Sequence, residues 1–169
     1  MKKVITAIVL IFISFILQST VFRALAIQGI VPNLLIILTA CSGFMHGDRF
    51  GVFVGFFCGL LMDIFFFDII GFYALLYMYI GYLNGFFHNI FYPDDIKLPL
   101  VMITVSDLLY SLTVYVLLFL LRSRFDFGYY FLNIILPELV YTIFVAVIFY
   151  PILLLISDIF RRAEKKKEE

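Results

Sequence analysis

Four carboxyl side chains, Asp63, Asp107, Glu138 and Asp158, stand inside otherwise uncharged stretches of this 169-residue chain. Paired acids in an apolar setting can share one proton and activate water, so Asp63 and Asp107 are the first residues to weigh as a catalytic pair. The spacing argues against it. Asp63 closes a series of glycines at Gly47, Gly51, Gly55 and Gly59, four residues apart, and the GxGD element of intramembrane aspartyl proteases is missing. Nor does the chain contain HExxH, GxSxG, a phosphate-binding Walker loop or a dinucleotide glycine fingerprint. Cys41 and Cys58 form no CxxC pair, so no redox motif or metal site is indicated. The expectation is a non-enzymatic protein with no cofactor, no metal and no nucleic-acid partner.

The elements that hold these residues follow from the charge distribution. Hydrophobic residues make up 64% of the chain and charged residues 14%, against about 25% charged in a soluble globule. Ten of the 24 charges lie in the tails and ten more fall in short clusters between apolar runs. Each run approaches the roughly 20 residues that cross about 30 Å of hydrocarbon. In lipid the backbone must pair internally, and runs without period-two alternation make helices. The expected fold is an all-α integral membrane protein, a six-helix transmembrane bundle with spans at about 4–22, 32–46, 50–67, 71–91, 98–121 and 137–157. Residues 1–169 then form a single transmembrane domain ending in a short basic tail, 158–169.

Threading follows from Lys and Arg. Nine lie on the face that carries both termini and three on the other, Arg23, Arg122 and Arg124, which predicts that both termini are cytoplasmic. The first apolar run, 19 residues from Val4 to Phe22, exceeds the roughly 7–15 of a cleaved signal peptide, so it is expected to be retained. The connection from Arg122 to Leu136 is the longest outward loop, and its aromatic residues Phe125, Phe127, Tyr129, Tyr130 and Phe131 suit the headgroup layer.

In lipid, helices associate by close backbone approach, so the glycine series marks span three as the most tightly packed helix. Asp107 lies midway along span five with Thr104, Ser106, Tyr110, Ser111 and Thr113 around it, which reads either as a proton or ligand site or as an interhelical polar clamp; the absence of a basic partner within any span favours the clamp. Glu138 follows Pro137. It is expected in the first turn of span six, where a carboxylate complements the helix dipole. Pro32 is expected to open span two, and Pro151 to kink span six. His46, His88, Gln18 and Asn84 have no partner that spacing would identify.

The order Pro32-Asn33-Leu34-Leu35, then Gly47-Asp48-Arg49-Phe50-Gly51 through Gly55 and Gly59 to Asp63, then Gly71, Ala74, Leu75, Tyr77, Gly81 and Tyr82 resembles the rod shape-determining protein MreD family, as do the length and six-span layout. The resemblance implies a bacterial plasma-membrane scaffold of the cell-elongation complex. It would associate with an MreC-type single-pass protein, and through it with MreB filaments, RodA and a class B penicillin-binding protein. Carried over residue by residue, the family motif falls on Gly51, Gly55, Gly59, Asp63, Gly71 and Tyr77, as packing or partner-interaction positions. Asp107 and Glu138 join them from the residue reading. The family is also similar in architecture to the substrate-binding subunits of energy-coupling-factor transporters, and the alternative is accordingly a vitamin-like small-molecule binding subunit.

Overall fold

The computed structural model describes residues 2–66, 70–90, 96–122 and 127–168, and all the regular structure in them is helical apart from one isolated bridge between Ile27 and Ile30. The helices are α1 (Lys2–Ser19), α2 (Val21–Ala24), α3 (Leu34–His46), α4 (Asp48–Phe66), α5 (Phe72–Phe86), α6 (Lys97–Arg122), α7 (Phe127–Tyr130) and α8 (Leu136–Glu168). A 3-10 turn, Phe87–Ile90, extends α5, and a π-helical turn, Phe131–Ile135, joins α7 to α8. The six helices of 13 residues or more overlap the six expected spans in order, but α8 does not end near 157: the stretch expected as a basic tail, 158–169, is helical as far as Glu168.

Four segments are long and apolar enough to cross a bilayer: Lys3–Ala24, Asp48–Phe66, Lys97–Leu117 and Phe127–Ile159, with mean hydropathy from 1.8 to 2.7. Helix α3, at 13 residues, is shorter. At 1.5 Å per residue it extends only about 20 Å, yet every residue from Leu34 to Met45 is buried. A helix that is apolar all round belongs inside a bundle, and α3 is its axis, in contact with α1, α4, α5, α6 and α8. The outer faces carry large apolar side chains in the open, among them Phe12, Leu75, Phe86, Phe144 and Leu155, each more than half exposed. So much exposed hydrocarbon is untenable in water and ordinary in lipid.

Local chemistry sets the ends of these helices. The Asn33 side chain accepts from Ile36 N at 3.3 Å, the Ncap arrangement, so α3 begins after Asn33 and Pro32 lies one residue before the cap instead of opening the helix. Between α3 and α4 the chain turns at Gly47, with φ 94° and ψ 176°. That conformation is essentially closed to residues with a Cβ. In α6, Pro99 sits in the first turn, where its missing N–H has no intrahelical partner to lose.

Two further expectations change. The aromatic stretch 127–131, read as a loop, is helical and runs through the π turn into α8. Residues 123–126 of that connection, with Phe125, lie outside the described residues, as do 67–69 and 91–95 at the margins of spans three and four. The physical reason is Pro137: it cannot donate to the carbonyl four residues back, and the helix widens to π geometry just before it instead of stopping. Pro137 therefore interrupts a longer helix and does not open one. Pro151 lies inside α8.

Lys3, His46, Phe50 and Ser157 line one cleft, which puts the start of α1, the end of α3, the start of α4 and the far part of α8 at one end of the bundle. Tyr73, Tyr110, Tyr130 and Glu138 line another, which marks the opposite end, where α5 and α8 begin.

Candidate functional site

The most extensive helix pairing is between α4 and α5, and glycine makes it. A Cβ built on Gly51 would collide with the backbone of Gly81 and Gly43, one on Gly55 with Tyr77 and Met78, and one on Gly59 with Tyr73 and Ala74. From the other side, Gly81 faces Gly51 and Val52, and Gly85 faces Gly47 and Asp48. The collisions are all with main-chain atoms, which no rotamer change can clear. Gly43 on α3 meets Gly81, Gly85 and Asn84, so three backbones converge at one end of the seam. The expected strip is therefore right for Gly51, Gly55 and Gly59 and wrong for Gly47, whose nearest neighbour would be His88 Cδ2 at 3.8 Å. Gly47 serves its backbone angles. The partner glycines Gly43, Gly81 and Gly85 were not recognised as partners, although Gly81 and Gly85 are also four residues apart and Gly43 stands four before Gly47: the spacing is in the sequence, the pairing of the helices is not.

Asp63 ends this seam. Its carboxyl is 0% exposed and accepts three backbone N–H groups, from Gly71 at 2.9 Å, Tyr73 at 2.9 Å and Ala74 at 2.9 Å. The first N–H groups of a helix have no intrahelical acceptor, and an anionic or dipolar acceptor there also faces the positive end of the dipole. Asp63, from one helix, thus caps the start of the next. Gly71, with φ 107°, supplies the turn that brings the chain round. The glycine series and its terminal aspartate form one device: the glycines hold α4 against α5, and the carboxyl pins the far end of the pair. Three of the roughly four acceptor positions of its carboxylate are taken by the start of α5.

A second polar layer crosses the bundle. Tyr77 donates its hydroxyl to Asn33 Oδ1 at 3.1 Å, and Asn33 N donates to Thr142 Oγ1 at 3.2 Å, linking α5, the start of α3 and α8. Leu35 N donates to Gln18 Oε1 at 3.1 Å. Asn84 donates to Ser106 Oγ at 2.7 Å, joining α5 to α6. Nδ1 of His88 lies 2.8 Å from the Phe44 carbonyl; the carbonyl only accepts, so the ring nitrogen donates. His46 Nε2 lies 3.3 Å from Ser157 Oγ, tying α3 to α8. Each lone polar residue of the sequence reading acquires a partner from another helix or from the break before α3.

Asp107 departs from expectation. It is 1% exposed, and the donor beside its carboxyl is the Thr142 hydroxyl of α8, set just short of full hydrogen-bond geometry. Its neighbours on α6 do not serve it, and the hydroxyl facing Asp107 comes from Thr142 on α8: Thr104, Ser106 and Thr113 each donate to a carbonyl of their own helix, four residues back. A hydroxyl on a helix finds that carbonyl at no cost in ordering. Glu138 is half-buried and lies in the first turn of α8 as expected, but α7 and the π turn run into that turn, so the helix start is not free. The dipole account gives way to a simpler one: Glu138 forms a wall of a cavity of about 220 Å³ with Tyr73, Tyr110, Ser111, Val114, Tyr130 and Ile135. The Tyr110 ring packs against Tyr77 and Tyr73, with centroids 5.5 and 6.0 Å apart.

The structure therefore brings together Gly51, Gly55, Gly59, Asp63, Gly71 and Tyr77 along one helix pair, and sets Asp107 and Glu138 apart from them in the layer between α6 and α8. Cys41 and Cys58 are both buried and free. Among the described residues no three His, Cys, Asp or Glu side chains cluster as a metal site requires.

No curated protein and no solved structure matches this chain significantly. The family model described as rod shape-determining protein MreD matches residues 1–159 of the 169. That span contains the whole glycine seam, the Asp63 cap and the apolar helices that carry them, so the chain belongs to the MreD family of multi-pass bacterial membrane proteins that determine rod shape.

Proposed function

We propose that this protein is a non-enzymatic scaffold subunit of the bacterial cell-elongation complex. It forms a single transmembrane domain over residues 1–169 in the plasma membrane, with both termini in the cytoplasm, and binds an MreC-type single-pass partner. Through that partner it connects to MreB filaments, RodA and a class B penicillin-binding protein, and so helps maintain lateral wall synthesis. The observation that carries this reading is the use made of Asp63. The most prominent intramembrane carboxyl accepts three backbone N–H groups, a structural use that pins a helix pair and supports the scaffold reading. The nine-to-three asymmetry of Lys and Arg supports cytoplasmic termini. Family membership supports the partners.

A rigid hairpin in lipid presents a fixed lateral surface, which is what a scaffold offers a partner helix. Gly51, Gly55, Gly59, Asp63, Gly71 and Tyr77 shape that surface from within. A second reading is favoured by the cavity beside Glu138: a small-molecule binding subunit, similar in architecture to the vitamin-binding subunits of energy-coupling-factor transporters. Isolation from native membranes in mild detergent separates the two. The scaffold reading expects a single-pass membrane protein at fixed stoichiometry. A bound vitamin at full occupancy with no protein partner overturns it.

A further inference from the structure

We propose that the cavity between the start of α5, the last turns of α6 and the start of α8 is a binding site for a primary ammonium group. Tyr73, Tyr110 and Tyr130 supply three aromatic rings, Glu138 a carboxyl and Ser111 a hydroxyl, and no Lys or Arg lines it among the described residues. Rings of this kind attract a cation at their faces, and the carboxyl supplies the opposite charge. Asp107 lies three and four residues before Tyr110 and Ser111, hence on the same face of α6 and one turn deeper. Its carboxyl is 1% exposed, with neither oxygen hydrogen-bonded among the described residues, and it is within electrostatic range of both Glu138 and Tyr110. Asp107 does not itself line the cavity, so it acts at a distance: a cation held at Glu138 is attracted by this second carboxyl as well.

The same acceptors decide the class of cation. Carboxyl and hydroxyl oxygens need N–H groups to bond to, which a primary ammonium has and a quaternary one lacks. The volume, about 220 Å³, is below the roughly 300–1,000 Å³ of sites that enclose drug-sized ligands, so the ligand portion inside is small. The π turn Phe131–Ile135 sits between Tyr130 and Glu138, and such turns recur where a helix is reshaped around a site. Two sources carry this group, a free small amine and the headgroup of an aminolipid. The site does not depend on the scaffold reading, and partner capture does not test it.

The test uses the full-length protein in nanodiscs of phosphatidylglycerol mixed with either phosphatidylethanolamine or phosphatidylcholine, followed by native mass spectrometry. In parallel, free ethanolamine is titrated against thermal unfolding in detergent. The expected result is one retained phosphatidylethanolamine, or saturable stabilisation by ethanolamine, with at least tenfold weaker binding in Glu138→Gln and in Tyr130→Leu. Retained lipid without an ethanolamine response identifies the headgroup as the source, and the reverse identifies a free amine. Asp107→Asn alone, which keeps the volume, is expected to weaken binding as well. The proposal is overturned by equal retention of phosphatidylcholine, by unchanged binding in folded Glu138→Gln, or by binding of neither probe to the wild type.

Discussion

Replacing Gly55 with alanine adds one methyl group at the middle of the α4–α5 seam, where it meets the backbone of Tyr77 and Met78. Overpacking costs about 1–3 kcal/mol when side chains can yield. Here the obstacle is main chain, so the two helices must part, and the cost belongs at the upper end, about 3 kcal/mol. Against it stands the gain in helix propensity from Gly to Ala, about 1 kcal/mol. The net loss of about 2 kcal/mol lowers the midpoint of a 169-residue chain by roughly 4–8 °C. Cys41 and Cys58, both buried in the core, report unfolding through a thiol-reactive fluorophore in detergent. Gly128→Ala is the reference, because its new Cβ meets nothing within 4 Å; only the propensity gain remains, and its midpoint is expected to stay or rise slightly. Equal midpoints for the two variants would refute the argument that backbone contact holds this helix pair.

Further outcomes follow from the same geometry. Asp63→Asn keeps the volume but exchanges one acceptor oxygen for an N–H₂ group pointed at backbone donors, and is expected to cost about 2–4 kcal/mol, read as an earlier midpoint and faster hydrogen exchange at Gly71, Tyr73 and Ala74. Gly47→Ala has room for its methyl group yet is expected to lose about 1–3 kcal/mol through backbone strain alone; a midpoint equal to wild type would show that the turn adapts. Tyr77→Phe and Asn33→Ala share one hydrogen bond, so in a double-mutant cycle they are expected to couple by about 0.5–3 kcal/mol. Strict additivity would remove that bond from the account.

Much of this architecture is written locally. Apolar runs between short charged clusters located the six long helices, because an uninterrupted apolar run in lipid has to be helical; their lengths were less legible, since α3 is only 13 residues and α8 runs on to Glu168. Gly51, Gly55 and Gly59 were visible because packing against a straight partner imposes a period. What that period packs against was not. Gly43, Gly81 and Gly85 lie on other helices and join the seam only through the fold. The role of Asp63 lay just beyond sequence reach for a similar reason: its three donors are 8 to 11 residues downstream, and nothing in a glycine series announces that the chain turns back on Gly71. His46 and Ser157, 111 residues apart, are the extreme case. The misreadings have one physical source each. Hydroxyls near Asp107 preferred their own helix carbonyls, and Pro137 was accommodated by a π turn instead of ending the helix. The cavity beside Glu138 gathers side chains from α5, α6, α7, the π turn and α8, and no periodicity encodes it.

The central claim is that the glycine-built hairpin, and not a reactive group, is the working part of the molecule. It is tested most directly in rod-shaped cells depleted of their own MreD-family protein and supplied with this chain at matched membrane abundance. Wild type and Gly128→Ala are expected to restore rods, and Gly55→Leu, with its larger collision against Tyr77 and Met78, to leave rounded cells. Rods of normal width from Gly55→Leu at the same abundance would contradict the account.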